Sequence, residues 1–299
     1  FSGPHFFILN PFFKSPKTIC KTHHDYDTLN ITLPFSNLPR TNYIPNKIID
    51  NYNSKFGHYK SDSRKWISEY KLGFRKMLSL TGERTLIGSI LPPNSTHLGG
   101  VISVAFNQQE KLLLFAGLSS SIIYDFYIKT VGRSNLYGVT LNNLPLPESS
   151  LLIDKIVFRT LVLNCVSKEF SDLWNSNWKN SFHHEIWSKI DHRLKDFSSH
   201  THSWDSNSTL VNWFERRMAS IELDVLSSLS LGLSLEELLL VYEIQFPVLQ
   251  QNDDDTWYDQ KGNIVFTCSK GLIGIGVDRS IWNSIKDLKD GKTHEHTIE

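Results

Sequence analysis

The most apolar window of the chain, Leu112 to Ile128 within "EKLLLFAGLSSSIIYDFYIKTVG", constrains the architecture more than any other stretch. Three serines and Asp125 interrupt its hydrocarbon, and it falls short of the ~20 apolar residues that a membrane helix needs. It predicts a buried core helix. Leu114, Leu118, Ile122 and Phe126 recur at spacings of four, so one helix over 110–132 is expected, with Gly132 at its C-terminus. Such a helix needs a sheet or other helices against it.

The flanks supply both. Residues 1–60 are rich in Pro, Asn, Tyr and His ("GPHFFILNPFFKSPKTIC", "LPFSNLPRTNYIP"). Proline removes backbone donors and fixes φ, so an extended arm lying across other elements is expected there. Over 61–150, "KWISEYKLGFRKMLSL", "RTLIGSIL" and "GGVISVAF" read as strands, the last as hairpin partner or sheet neighbour of the second. Pro92-Pro93-Asn94 stops the middle strand. "RSNLYGVTLNNLPLP" reads as a polar turn, a short strand and an exit at Pro145 and Pro147.

From 151 to 299 the pattern is helical. "LLIDKIVFRTLVLNCVSKEFSDLWNSNW" keeps an apolar stripe, and the Ser-, Asn-, His- and Trp-rich stretch 171–210 reads as a loop or insertion. "VNWFERRMASIELDVLSSLSLG" reads as a helix ending at Gly232. Ser234-Leu235-Glu236-Glu237 is a capping box opening another, which runs to about Phe246 before Pro247. "DDDTWYDQKGNIVFTCSKG" reads as a hairpin turning at Lys261-Gly262. The expected fold is α+β: a mixed β-sheet domain, then a mainly helical tail with a C-terminal β-hairpin.

Charge divides the same way. The 299 residues carry 31 Lys/Arg and 31 Asp/Glu, yet residues 1–150 hold 16 against 9 (+7) and residues 151–299 hold 15 against 22 (−7). This predicts a polyanion-facing front half and a solvated or partner-facing back half. Cys20, Cys165 and Cys268 are few, odd in number and far apart, which predicts no disulfide framework and a cytoplasmic, reducing setting. No basic stretch precedes an apolar one near Phe1, so no signal peptide is expected, and a start on Phe points to a fragment or processed product.

Each catalytic motif is incomplete. "NPFF" (Asn10 to Phe13) resembles the tetrapeptide with which amino-group DNA methyltransferases hold a flipped base, but Phe12 replaces its second proline. "SKGLIGIG" (Ser269 to Gly276) has glycines in GxxGxG order with no Lys-Ser/Thr following, and reads as a glycine-rich turn. His23-His24-Asp25, His183-His184-Glu185, His192, His200 and His202 never form HExxH, and adjacent histidines on an extended segment point opposite ways. No catalytic residue and no metal site is therefore expected, and no GxSxG elbow, kinase or Walker signature occurs. What remains is basic and polar: Arg64, Lys65, Lys71, Arg75, Lys76, Arg84, Lys129, Arg133 and Asn135, interleaved with Trp66, Tyr70, Phe74 and Tyr137. Arg and Lys neutralise phosphates, and Arg and Asn read base edges.

The order "ERTLIGSILPP" (83–93) then "LLLFAGLSSSIIYDFYIKTVGRSNLYGVTLNNLPLP" (112–147), with the flanks "GPHFFILNPFFKSP", "LPRTNYIP" and "IQFPVLQQNDDDTWYDQKGNIVFTCSKGLIGIG", resembles the target-recognition region of large adenine-specific DNA methyltransferases. These include single-chain type IIG restriction-modification enzymes and the methylases of BREX and DISARM phage defence. The resemblance implies that Arg84 and Thr85 pin a core strand and that Pro92-Pro93 turns the chain. Asn94, Thr96 and His97 would then project toward double-stranded DNA, with Arg133, Ser134 and Asn135 forming a second turn near the duplex. It also implies that S-adenosylmethionine and the catalytic domain belong to a longer parent protein, so that this chain holds no cofactor. Its partners would be that methyltransferase domain and other defence proteins, with no membrane. Two alternatives stay open: a protein-interaction or scaffold module of a defence complex, and a hydrolase using the histidines.

Overall fold

The computed structural model describes residues 1–31, 38–44, 51–52, 54–58, 63–147, 151–272 and 277–288, and the following holds for these. An antiparallel pair, β1 (Lys14–Pro16) and β2 (Tyr26–Thr28), follows a 3₁₀ turn at Gly3–His5. β3 (Lys71–Arg75), β4 (Gly88–Leu91) and β5 (Val101–Val104) form an antiparallel sheet in the order β4-β3-β5. β5 therefore pairs with β3 and is not the hydrogen-bonded neighbour of "RTLIGSIL". Residues 92–100 carry the chain back instead of reversing it tightly. The Asn94 amide donates to Ile67 O, and the Phe1 amino group donates to Thr96 O at 2.5 Å.

Alternation along these strands makes two faces. Leu72, Phe74 and Ile90 join the main core, while Leu91 and Val101 pack on Phe6. The amino-terminal segment thus covers the second face, with the Leu9 amide donating to Gly88 O.

The apolar window holds two helices rather than one: α1 (Gln109–Ser119) and α2 (Ile122–Val131) meet at 71°. Serine chemistry accounts for the break. The hydroxyls of Ser119, Ser120 and Ser121 donate back to the carbonyls of Phe115, Gly117 and Leu118, and Ser121 caps α2 through the Tyr124 amide. α1 is buried on every side from Leu112 to Ser119, so its apolar pattern carried no single stripe. Gly132 ends α2 with φ +68°.

α3 (Gly138–Asn142) is a short helix where a strand was expected. Tyr137 O accepts from the amides of Thr140 and Leu141, and this local turn leaves no partner strand to pair with. α4 (Ile153–Asn164) crosses α1 at Gly117, where a Cβ would lie 2.5 Å from Thr160 Oγ1. The absent side chain lets the two backbones approach. α5 (Ser171–Asn177) opens the stretch read as a polar loop. That stretch buries Trp174, Phe182 and Phe197, the last two with ring centroids 5.0 Å from Phe158, so it is part of the core.

α6 (Trp213–Ser230) is followed by Gly232 at φ +82°. α7 (Leu235–Gln245) opens with the expected capping box: Ser234 Oγ accepts from the Glu237 amide, and Glu237 accepts from the Ser234 amide. Pro247 ends it and begins α8 (Pro247–Asp254). β6 (Trp257–Tyr258) and β7 (Ile264–Phe266) form the C-terminal hairpin, and α9 (Arg279–Ile285) lays Trp282 on Phe266. The fold is α+β. One hydrophobic cluster takes Leu9 and Phe12, Leu72 and Leu113, and Phe158 and Ile264 from the three sequence segments.

Candidate nucleic-acid interface

Glu83-Arg84-Thr85 is the fastening point around which the candidate surface is built. Glu83 accepts from Asn252 Nδ2 and Ser269 Oγ, joining α8 and the segment after β7. Arg84 Nε donates to Asp125 Oδ2 at 2.7 Å, and its second arm donates to Ser120 O. Asp125 also accepts from the amides of Thr85 and Leu86, and Thr85 Oγ1 donates to Ser79 O. The bend between α1 and α2 is thus closed from both sides: Arg84 serves the orphan carbonyl of Ser120, and Asp224 accepts from the Ile122 amide. Pro92 is buried, and Pro92 O accepts from Ser95 Oγ. The resemblance implies a pinning role for Arg84 and Thr85; it gives none to Glu83 or Asp224, whose partners lie far away in sequence.

The candidate DNA-binding cations divide into two kinds. Lys71 is buried, its ammonium donating to Glu69 O at 2.9 Å and lying 3.4 Å from Ile67 O and Trp66 O, and burial pushes it down to about 8. Arg75 donates to Gly3 O and Phe6 O, and burial lowers it to about 10. Lys129 donates to Gly82 O and lies over the Phe246 ring, and burial lowers its pKa. Backbone carbonyls hold all three. Arg64 pairs with Glu69 at 3.6 Å. Lys65 is half-buried, Arg133 is exposed, and Lys76 is half-buried beside Tyr137 with its ammonium 6.0 Å from the ring centroid.

Lys76 and Arg133–Asn135 come together. The Leu136 amide donates to Lys76 O at 2.7 Å, the Leu78 amide donates to Ser134 O, and Met77 bridges Asn135. The turn after α2 is thereby stapled to the end of β3. The Lys76 amide donates to Gly100 O, so Gly99-Gly100 joins the same rim, with open space where side chains would stand. Arg133, Ser134, Tyr137 and Met77 face solvent around it.

Asn94, Thr96 and His97 form a second group, beside Lys71 at the other end of β3. Strand rise separates Lys71 from Lys76 by about 16 Å. Asn94 is exposed at φ +57°, and Thr96 Oγ1 accepts from Tyr52 Oη. His97 Nε2 lies 2.8 Å from Ser103 Oγ, and burial lowers its pKa. Ser103 was not singled out from the sequence because nothing local marks it.

The remaining motifs lie elsewhere. Asn10 of "NPFF" is buried and its amide donates to Phe7 O, while Phe12 stacks on Phe1 inside the core. Residues 273–276 of "SKGLIGIG" lie outside the described residues. His23 and His24 do not point apart; a turn brings their ring centroids to 3.8 Å. No group of three or more His, Cys, Asp or Glu is placed to hold a metal ion among the described residues. Among the described residues no single helix is long and apolar enough to cross a membrane, and the bent pair α1–α2 that passes by composition is largely buried. Compared with known families, curated proteins and solved structures, the chain matches none of them.

Proposed function

We propose that this chain is a double-stranded-DNA target-recognition module serving an S-adenosylmethionine-dependent, adenine-specific methyltransferase of restriction-modification or phage-defence type. Cofactor and catalytic residues would belong to the methyltransferase part. The observation that supports the reading most is the turn Arg133–Asn135, hydrogen-bonded to the end of β3 beside Lys76 and the open Gly99-Gly100 backbone. A strand end carrying an amide and two cations that have no carbonyl ligand among the described residues suits a phosphate contact next to a base-edge contact. Lys76 and Arg133 would neutralise phosphates, and Asn135 would offer both a donor and an acceptor to an adenine edge. Asn94 and His97, about a strand length away, would contact the backbone further along the duplex. Fluorescence anisotropy of the intact chain on labelled duplex DNA across a salt series tests this. Arg133→Ala and Lys76→Ala are expected to weaken binding and lower the salt slope by ~0.9 for each phosphate left without its cation. Binding equal to wild type at every salt concentration would refute the assignment.

A further inference from the structure

The outward side of α7 has a composition that a solvated helix face does not need. Its inward side sets Leu238, with half-buried Val241 and Tyr242, on Ile122, Ile123, Phe246 and Leu249. The opposite side leaves Leu235 62 %, Leu239 47 %, Leu240 55 % and Ile244 62 % exposed. At about 100° per residue these fall into two stripes, Leu235 with Leu239 and Leu240 with Ile244, and Glu236 and Glu243 stand between them. Surface helices normally turn polar residues outward, and a contiguous apolar patch with a charged component marks an interaction surface.

The charge around the patch selects the occupant. Glu236 and Glu243 make no ion pair among the described residues. No Lys or Arg occurs from Ile221 to Asp255, which spans the last turns of α6, all of α7 and all of α8. The charged side chains of that stretch are therefore all negative, in keeping with the net −7 of residues 151–299, while α2 sets Lys129 over the Phe246 ring on the inward side. Two-fold pairing of this face with a second copy would set these glutamates against their own equivalents in a drying interface, which like-charge repulsion opposes.

We infer that the outer face of α7 is a docking site for a cationic amphipathic helix of a partner protein. Leucine-class side chains of that helix enter the two stripes, and its Lys or Arg residues lie over Glu236 and Glu243. Helix-on-helix docking through i, i+4 anchors is an established mode of recognition. The inference does not depend on the DNA reading, because α7 carries none of the residues assigned to DNA.

The test uses the intact chain and a fluorescein-labelled helical peptide of about 18 residues, with leucines at i, i+4 on both sides of lysines spaced i, i+7. A matched peptide carries Glu in place of those lysines. Wild type is expected to bind the lysine peptide roughly tenfold more tightly than its glutamate counterpart. The variant E236K/E243K should reverse that preference, and L240K/I244K should lose both peptides while keeping the wild-type melting profile by circular dichroism. Reversal by charge exchange is a result that a misfolded variant cannot produce. Absence of binding, absence of reversal, or binding unaffected by L240K/I244K would overturn the proposal. So would self-association of the chain, or capture of phosphatidylglycerol vesicles, that L240K/I244K abolishes.

Discussion

Arg84 and Asp125 meet at 2.7 Å with both side chains buried, and the carboxylate has backbone work beyond the ion pair. It accepts from the amides of Thr85 and Leu86 as well, so a single group terminates the approach to β4 and fixes α2. Asp125→Ala leaves the buried guanidinium with Ser120 O but no counter-charge, and two buried amides without an acceptor. Breaking one side of such a pair costs roughly 3–5 kcal/mol. Urea denaturation should show that loss for Asp125→Ala, and less for Asp125→Asn, whose Oδ1 still serves an amide. Equal stability of the alanine variant would show that the pair does not anchor the segment.

Asn164 does the same for the sheet edge. Its Oδ1 accepts from Ser89 Oγ and from the Ile90 amide, and its Nδ2 donates to Ile90 O, so one side chain takes the place of a neighbouring strand beside β4. Asn164→Leu removes these bonds inside a fully buried site and should destabilise the protein by roughly 2–4 kcal/mol. Hydrogen exchange should locate the damage: the Ile90 amide is expected to lose protection first.

These two devices mark where sequence reading stopped. Capping chemistry was legible, because Ser234 and Glu237 act within one turn and Gly132 and Gly232 take positive φ at helix ends. The hairpin about Gly262 was legible for the same reason. The break at Ser119–Ser121 was not, because the period-four spacing of Leu114, Leu118, Ile122 and Phe126 runs through it, and two of the groups that close it beside the local serines, Arg84 and Asp224, lie far away in sequence. The order of β3, β4 and β5 was hidden too, since it depends on how residues 92–100 settle under Phe1. The basic residues were visible as a set, but which cations reach solvent was not. Lys71, Arg75 and Lys129 find carbonyls contributed by other segments.

That division of the cations is itself testable. Lys71→Ala and Arg75→Ala remove donors from carbonyls of the Trp66–Glu69 segment and the Gly3–Phe6 segment, and each should cost about 1–3 kcal/mol of stability. Measured below their melting transitions, both variants should hold DNA within about twofold of wild type, with an unchanged salt slope. Arg133→Ala should do the reverse, with stability within ~0.5 kcal/mol of wild type and weaker DNA binding. A shifted slope for Lys71→Ala with a normal slope for Arg133→Ala would place the phosphate contacts at the other end of β3.

Two buried groups give stability opposite pH dependences in the same window. Burial pushes Asp224 up to about 6, against the attraction of Arg84 and Arg217 and with repulsion from Asp253 adding to it. The folded state then binds the Asp224 proton more tightly than the unfolded chain, so this group lowers stability as pH rises from about 4 to about 6. His200 is also buried, against Phe158, Trp174 and Phe197, and desolvation with the nearby Lys195 charge lowers it to about 4. Its folded value lies below its unfolded 6.5, so its contribution is present above about 6.5 and lost as pH falls toward about 4. In the wild type the two slopes largely cancel. Asp224→Asn keeps an acceptor for the Ile122 amide and cannot ionise. Relative to wild type it should gain roughly 2–3 kcal/mol between pH 4 and pH 8, since each tenfold change in proton affinity is worth about 1.4 kcal/mol. His200→Gln cannot charge, and its stability relative to wild type should improve by a comparable amount as pH falls from about 7 to about 4. Urea titrations at five pH values for the three proteins read both differences directly. Difference profiles that stay flat across the window would mean that Asp224 and His200 titrate near their ordinary values, and hence that water reaches the bend between α1 and α2 and the aromatic cluster on α4.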